Sequence, residues 1–313
     1  MSKRDRPTQT DEARAPNRRD DGPPGAASAE ADGSQDVQIQ LAFHRSVISG
    51  EERLRRSLPN LLATGFVGGM DVGVGVLALY VVQEATGSHL LAALAFSVGF
   101  VFIALAGSEL FTENFLIPVT TLIAGRATPR SLVRLWLGTF AANVAGGTIL
   151  VALVVIALPG VHPVARQLGS VTPLLGINAR SFAAAMLGGV LLTLFTWVER
   201  STTNVPAKLV AAMSTGFLVV AAPLNHSVVG SLEMAGGLLV GDAGYGPADA
   251  AGAVGWAALG NSVGGLLLVT VLRLVQVGHR RILEERLDTP PHEHAGNSAH
   301  GADGEHSPAV RQR

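Results

Sequence analysis

Cysteine is absent from this 313-residue chain. That excludes a disulfide framework, a thiolate metal site and a cysteine nucleophile. Net charge is nearly absent too, at −1, and so carries no information about nucleic acid; none is expected as a partner. The first 36 residues lack any apolar run, so no signal peptide is expected. They are rich in Asp, Arg, Pro, Gly and Ser, a composition that cannot bury enough apolar surface to fold, and read as a disordered cytoplasmic tail. No Gly-x-Ser-x-Gly elbow and no His-Glu-x-x-His pair is present. Hydrolase chemistry on Ser108 or Ser227 with His226 therefore lacks its frame, and no enzymatic activity, metal or cofactor is expected.

What remains is apolar. Mean hydropathy is +0.37 even though it averages over two polar tails, and many of the 37 glycines lie inside apolar runs, as in membrane helices that approach closely. Residues 37–57 mix apolar side chains with charges and read as an interfacial helix. Six segments long enough to cross a bilayer follow, at 58–82, 89–124, 131–158, 181–198, 205–240 and 250–277. Together 58–278 form a transmembrane domain. Residues 279–313 are polar and contain His292, His294, His300 and His306; their irregular spacing favours a plain tail over a metal site.

The second and fifth segments are interrupted by polar stretches, Gly107-Ser108-Glu109-Leu110-Phe111-Thr112-Glu113-Asn114 and Pro223-Leu224-Asn225-His226-Ser227-Val228-Val229-Gly230. Lipid cannot satisfy an opened backbone, so each break must be buried in protein or line a wet cavity. Matching breaks in two halves point to a transport site. The third and sixth segments each carry Asn-x-x-Gly-Gly, at Asn143 and at Asn261. Each half thus runs plain span, broken span, Asn-bearing span, and three spans per half make the repeat inverted. Basic residues cluster before the first span (Arg53, Arg55, Arg56), between the second and third (Arg126, Arg130, Arg134), between the fourth and fifth (Arg200, Lys208) and after the sixth (Arg273, Arg280, Arg281). The positive-inside rule then puts both termini in the cytoplasm.

Of nine histidines only His226 falls in the interior of a span. It is either a proton or hydrogen-bond donor on the path or a neutral residue packing two half-helices. Asp71, in the glycine-rich first span, is a proton relay, a gate or a helix-pairing group. Glu109 is expected to cap the following half-helix, Glu113 to lie near a water-filled vestibule, and Glu233 to mirror one of them. Asn143 and Asn261 are expected to bond the broken backbones, with Asn114 supporting the first. Leu110, Phe111 and Leu224 are candidates for constriction rings or for core. The four acidic groups Asp71, Glu109, Glu113 and Glu233 are unfavourable to an anion if they are ionised beside its path.

Ser108 to Asn114, the Asn225-His226-Ser227-Val228 element and the two Asn-x-x-Gly-Gly elements resemble the formate/nitrite transporter family, most nearly its YfdC-like branch. The resemblance covers 58–277. It implies an all-α, aquaporin-like protomer of six transmembrane helices with an inverted 3+3 repeat and broken second and fifth helices. It further implies assembly as a homopentamer in the inner membrane, in contact with lipid. The implied cargo is a small monovalent anion or its weak acid. The path residues carried over are His226 and Thr112, with Asn225 beside them. Two departures stand out: the outer Lys of the fourth span is missing from Gly176-Ile177-Asn178-Ala179-Arg180, where Arg180 is the substitute, and Thr193 stands for a family Asn. A pore for small neutral solutes is the nearest rival; a membrane scaffold or sensor acting through its tails is another.

Overall fold

The computed structural model describes residues 26–222 and 224–287, among which every regular element is helical. Helix α1 (Ala26–Arg55) leads into α2 (Leu58–Thr86) and α3 (His89–Ala106); a 3₁₀ turn (Phe111–Phe115) and the short α4 (Ile117–Ile123) follow. Next come α5 (Pro129–Ala157), α6 (His162–Leu175), α7 (Ala179–Ser201), α8 (Val205–Ala221) and α9 (Ser227–Val240). The last segment runs from α10 (Pro247–Val263) through a π-helical stretch (Gly264–Thr270) into α11 (Val271–Val277), and α12 (His279–Leu287) ends the described chain.

Helix ends sit where the local chemistry puts them. Thr128 accepts from the Ser131 amide and Asn178 from the Ser181 amide, each with the reciprocal serine bond of a capping box. Asn204 caps α8 through the Ala207 amide. Gly107 ends α3 at φ 66°, a left-handed turn that a side chain resists. With 17 and 14 residues, α8 and α9 are each too short to cross a bilayer. They form one broken segment, as α3 and α4 form another. α2, α3, α5, α7 and the α10–α11 segment are long and apolar enough to cross a membrane. The expected six segments are therefore present, with the second and fifth broken.

The inverted repeat is visible in the packing. A Cβ on Gly69 collides with the Asn143 carbonyl, and one on Gly189 with the Asn261 carbonyl. Gly146 meets the Phe66 carbonyl just as Gly264 meets that of Met186. In each half the first and third spans thus touch backbone to backbone at the Asn-x-x-Gly-Gly element. Large apolar side chains, among them Leu105, Leu137, Ile156 and Val275, stay exposed on the outside of the bundle, where lipid rather than water is their natural solvent.

Three features depart from the sequence reading. Helix α1 begins at Ala26, well before residue 37; the rest of the N-terminal tail and the four tail histidines lie outside the described residues. Its C-terminal half docks beneath the bundle, with Ala42, Phe43 and Val47 packed in one cluster with Leu116, Ala124, Trp197 and Val277. The stretch after the third span, expected as a loop, is the amphipathic α6, which buries Val164, Ala165 and Gly169. The sixth segment loosens to π geometry beside the first break, where Thr270 donates to the Phe115 carbonyl at 2.9 Å. α1, α12 and the α4–α5 turn meet on one face, joined by Arg126 to Glu285 at 2.9 Å and His44 to Glu285 at 3.1 Å.

Candidate functional site: two clamped breaks and a cavity

Each break is held by one asparagine. Asn143 Nδ2 donates to the carbonyls of Gly65 (2.7 Å) and Glu109 (2.8 Å), while its Oδ1 accepts from the Phe111 amide (2.8 Å). Asn261 Nδ2 donates to the carbonyls of Ala185 (2.7 Å) and Asn225 (2.9 Å), and its Oδ1 accepts from the Ser227 amide (2.8 Å). Both side chains are fully buried. A carboxamide is the one short neutral side chain that offers both donors and acceptor at once, so the clamp needs Asn at both positions. The pattern also fixes the repeat register. Leu110, between Glu109 and Phe111, is equivalent to His226, between Asn225 and Ser227.

The first break is sealed by charge. Arg53, 5% exposed, reaches in from α1. Its Nε lies 2.6 Å from Glu109, and its Nη2 lies 3.1 Å from Glu113. Its Nη1 donates to Asn114 Oδ1 at 3.0 Å. Arg56 adds a second contact to Glu109 at 2.9 Å. Burial opposes the Arg53 charge, but Glu109 and Glu113 more than offset it and leave the guanidinium pKa raised. Glu109 is therefore an ion-pair partner rather than a helix cap, and Glu113 is buried at 2% exposure rather than open to a vestibule. Asn114 also offers its carbonyl to the Trp136 indole N–H at 2.8 Å. Phe111 stacks edge-on with Phe115 and Phe140 at about 5 Å and belongs to the core cluster, as does Leu110. Arg53 was not singled out in the sequence; only the count of acidic groups at the break pointed to a missing cation.

The second break carries the histidine. His226 is the N-cap of α9, and its Nδ1 accepts from the Val229 amide at 3.2 Å. An accepting Nδ1 carries no proton, which puts the imidazole N–H on Nε2. Nε2 faces Thr112 Oγ1 at 3.3 Å, across from the first break. His226 is 2% exposed and Thr112 is fully buried. Beside them Asn225 Oδ1 and Ser227 Oγ are buried with no hydrogen-bond partner among the described residues.

A cavity of about 310 Å³ opens from His226 toward the α6 side. Its polar lining is Gln83, His89, Gln167, Thr172, His226 and Glu233; Leu224 and Val229 contribute to the apolar wall. Glu233 thus lines the cavity instead of supporting a break. Arg180 is exposed at the start of α7 and does not line the cavity. Asp71 is buried on α2, with its Oδ2 lacking a hydrogen-bond partner among the described residues. Thr193 spends its hydroxyl within its own helix, on the Gly189 carbonyl at 2.8 Å.

This geometry has relatives. The sequence profile described as formate/nitrite transporter matches residues 40–275. The chain belongs to the formate/nitrite transporter family. It is 27% identical over 208 residues to the inner membrane protein YfdC of Escherichia coli (strain K12), an alignment covering 62% of this chain and 65% of that one. It is 30% identical over 109 residues to the formate channel BtFdhC of Bacillus thuringiensis, covering 31% of this chain and 42% of that one. The chain thus spans less than two thirds of the length of the curated relatives it matches. Among solved structures, an FNT family ion channel superposes with a TM-score of 0.64 at 21% identity, covering 74% of this chain and 96% of that chain. A pentameric formate channel with formate bound superposes with a TM-score of 0.55 at 20% identity, covering 69% and 95%. The family's fold is therefore that of this chain, a multi-pass membrane protein.

Proposed function

We propose that the protein is an inner-membrane channel for small monovalent weak acids and their anions, working as a homopentamer with both termini in the cytoplasm. The observation that carries this reading is the buried His226–Thr112 pair, set between the two breaks at the inner end of the cavity. An ionised side chain at mid-membrane is disfavoured by about 2.5–3.5 kcal/mol even on permissive scales. A weak acid avoids part of that cost by crossing with its proton. The Nε2–H of His226, fixed by the Nδ1 bond to Val229, is a ready donor to an acid oxygen in the cavity. Thr112 accepts from the same N–H when no solute is there and orients the ring. The pentamer is supported by the pentameric formate channel of the same fold, and the orientation by the arginines gathered on the face where α1 and α12 meet.

A pore for small neutral solutes on the same architecture has one observation in its favour: no Lys or Arg lines the cavity. Flux of formate, nitrite and acetate into proteoliposomes separates the two. Wild-type protein is expected to pass weak acids faster at lower pH. His226→Ala is expected to lose about 10- to 100-fold, the worth of a hydrogen bond to a charged or charging group. Passage of urea but of none of these acids would establish the neutral-solute pore instead.

A further inference from the structure

The cavity contains a carboxylate that no cation among the described residues neutralises. Glu233 lies on α9 seven residues beyond His226, and His226, Val229, Gly230 and Glu233 form one stripe, at i, i+3, i+4 and i+7, that lines the cavity. The two side chains are therefore about 10 Å apart along the helix axis. Among the described residues, Glu233 has no ion pair or side-chain hydrogen bond. On α2, Tyr80 and Gln83 face it, each with a buried side-chain oxygen that lacks a hydrogen-bond partner. Tyr245, from the turn after α9, lies close but gives its hydroxyl to the Met234 carbonyl. On α6, Arg166 is turned away to the Gly241 carbonyl at 3.0 Å, and Gly169 packs on the Glu233 backbone. On α10, Asp249 is spent on the Gly246 amide. His89 of α3 and His226 complete the titratable lining. The first break shows what this chain does with a buried carboxylate of purely structural use: it supplies an arginine. Glu233 is left bare, and it faces the space a solute must cross to reach His226.

We propose that Glu233 is the charge filter of this cavity, admitting weak acids in their uncharged form and turning back free anions. The proposal rests on the weak-acid reading above and names its selectivity residue. An ionised Glu233 raises the electrostatic barrier to any anion in the low-dielectric cavity, while an uncharged acid hydrogen-bonds past it to Gln83, Thr172 and His226.

The test is flux through the full-length protein in proteoliposomes, with formate at pH 5 and pH 7 and with chloride, which has no uncharged form at either pH. Wild-type formate flux is expected to fall by up to about 100-fold between the two, as the uncharged fraction drops tenfold per pH unit above the acid's pKa. Chloride should stay near background. Glu233→Gln is expected to raise formate flux at pH 7 or chloride flux at least tenfold, and Glu233→Asp to behave as wild type. Either rise supports the filter. Both fluxes unchanged in an active Glu233→Gln protein overturn it and leave the weak-acid channel standing. Loss of all flux in both variants, with unfolding temperatures unchanged, also overturns it, because the residue then packs rather than selects. A wild type that passes no weak acid removes the channel reading and the filter together.

Discussion

The two breaks share one clamp and differ in everything it holds. Asn143 and Asn261 bond matching backbone groups in matching geometry. Where the first clamp presents Leu110, the second presents His226. Where the first break is filled from below by Arg53 and Arg56, the second opens upward into a cavity whose carboxylate has no cation. An inverted repeat gives a membrane protein two equivalent sites of opened backbone, and nothing obliges it to use both alike. Here one is closed by ion pairs and the other borders a cavity. The acidic count that looked hostile to an anion divides the same way: Glu109 and Glu113 are paired into the seal, Asp71 is buried on α2, and of the four only Glu233 lines the cavity.

The largest effect is expected from unmaking the seal. Arg53→Ala leaves Glu109 and Glu113 buried without their shared cation, and breaking one partner out of a buried ion cluster costs about 3–5 kcal/mol. Arg56 limits the loss at Glu109 alone. The measurement is the unfolding temperature in detergent. The triple variant Arg53→Met, Glu109→Gln, Glu113→Gln should recover most of the loss, because no buried charge is then left without its counter-ion. Failure of the triple variant to recover would mean that the cluster holds α1 by geometry rather than by charge balance.

The next effect compares the clamps directly. Asn143→Leu and Asn261→Leu each strand one break carbonyl and one amide in a dry interior, at about 1–3 kcal/mol for each group left unsatisfied, while the Gly65 and Ala185 carbonyls keep their helical bonds. The repeat predicts similar losses of thermal stability for the two. It also predicts unequal losses of transport, with Asn261→Leu the worse in weak-acid flux, because only its break carries the donor. Equal transport defects at matched stability would remove the division of labour between the halves.

The sequence announced the clamps and the breaks but not the seal. Asn-x-x-Gly-Gly appears twice at a similar offset from a polar interruption, and a local motif of this kind survives in one dimension. Arg53 was visible only as part of an arginine run. Its role depends on the rotational setting of α1, which turns Arg53 inward and Arg55 outward to Glu51. It depends as well on contacts made some 60 residues along the chain. Helix α6 was missed because its 14 residues fall short of a span and include Gly169 and Pro173, which read as loop. Glu233 was within reach: its i+7 spacing from His226 puts both on one face, but comparing it with Glu109 and Glu113 by position in the repeat hid that periodicity. Arg180 stood in for the outer Lys that the family resemblance implies, and exposure at the head of α7 leaves it outside the cavity.

The smallest effect is the most specific, because it tests the side-chain contact that joins the two breaks. Thr112 Oγ1 sits 3.3 Å from His226 Nε2, a long bond by the usual geometry. Thr112→Val keeps the shape and removes the acceptor, so stability should change by no more than about 1 kcal/mol. The imidazole N–H then has no resting partner and the ring is held by Val229 alone. If the first break contributes to transport, it does so here, by keeping Nε2–H aimed at the path. Weak-acid flux should then fall about fivefold in Thr112→Val, the equivalent of one modest hydrogen bond, and return in Thr112→Ser. Undiminished flux in Thr112→Val would make the asymmetry complete: His226 would act with its own half of the repeat, and the first break would be structural in every residue.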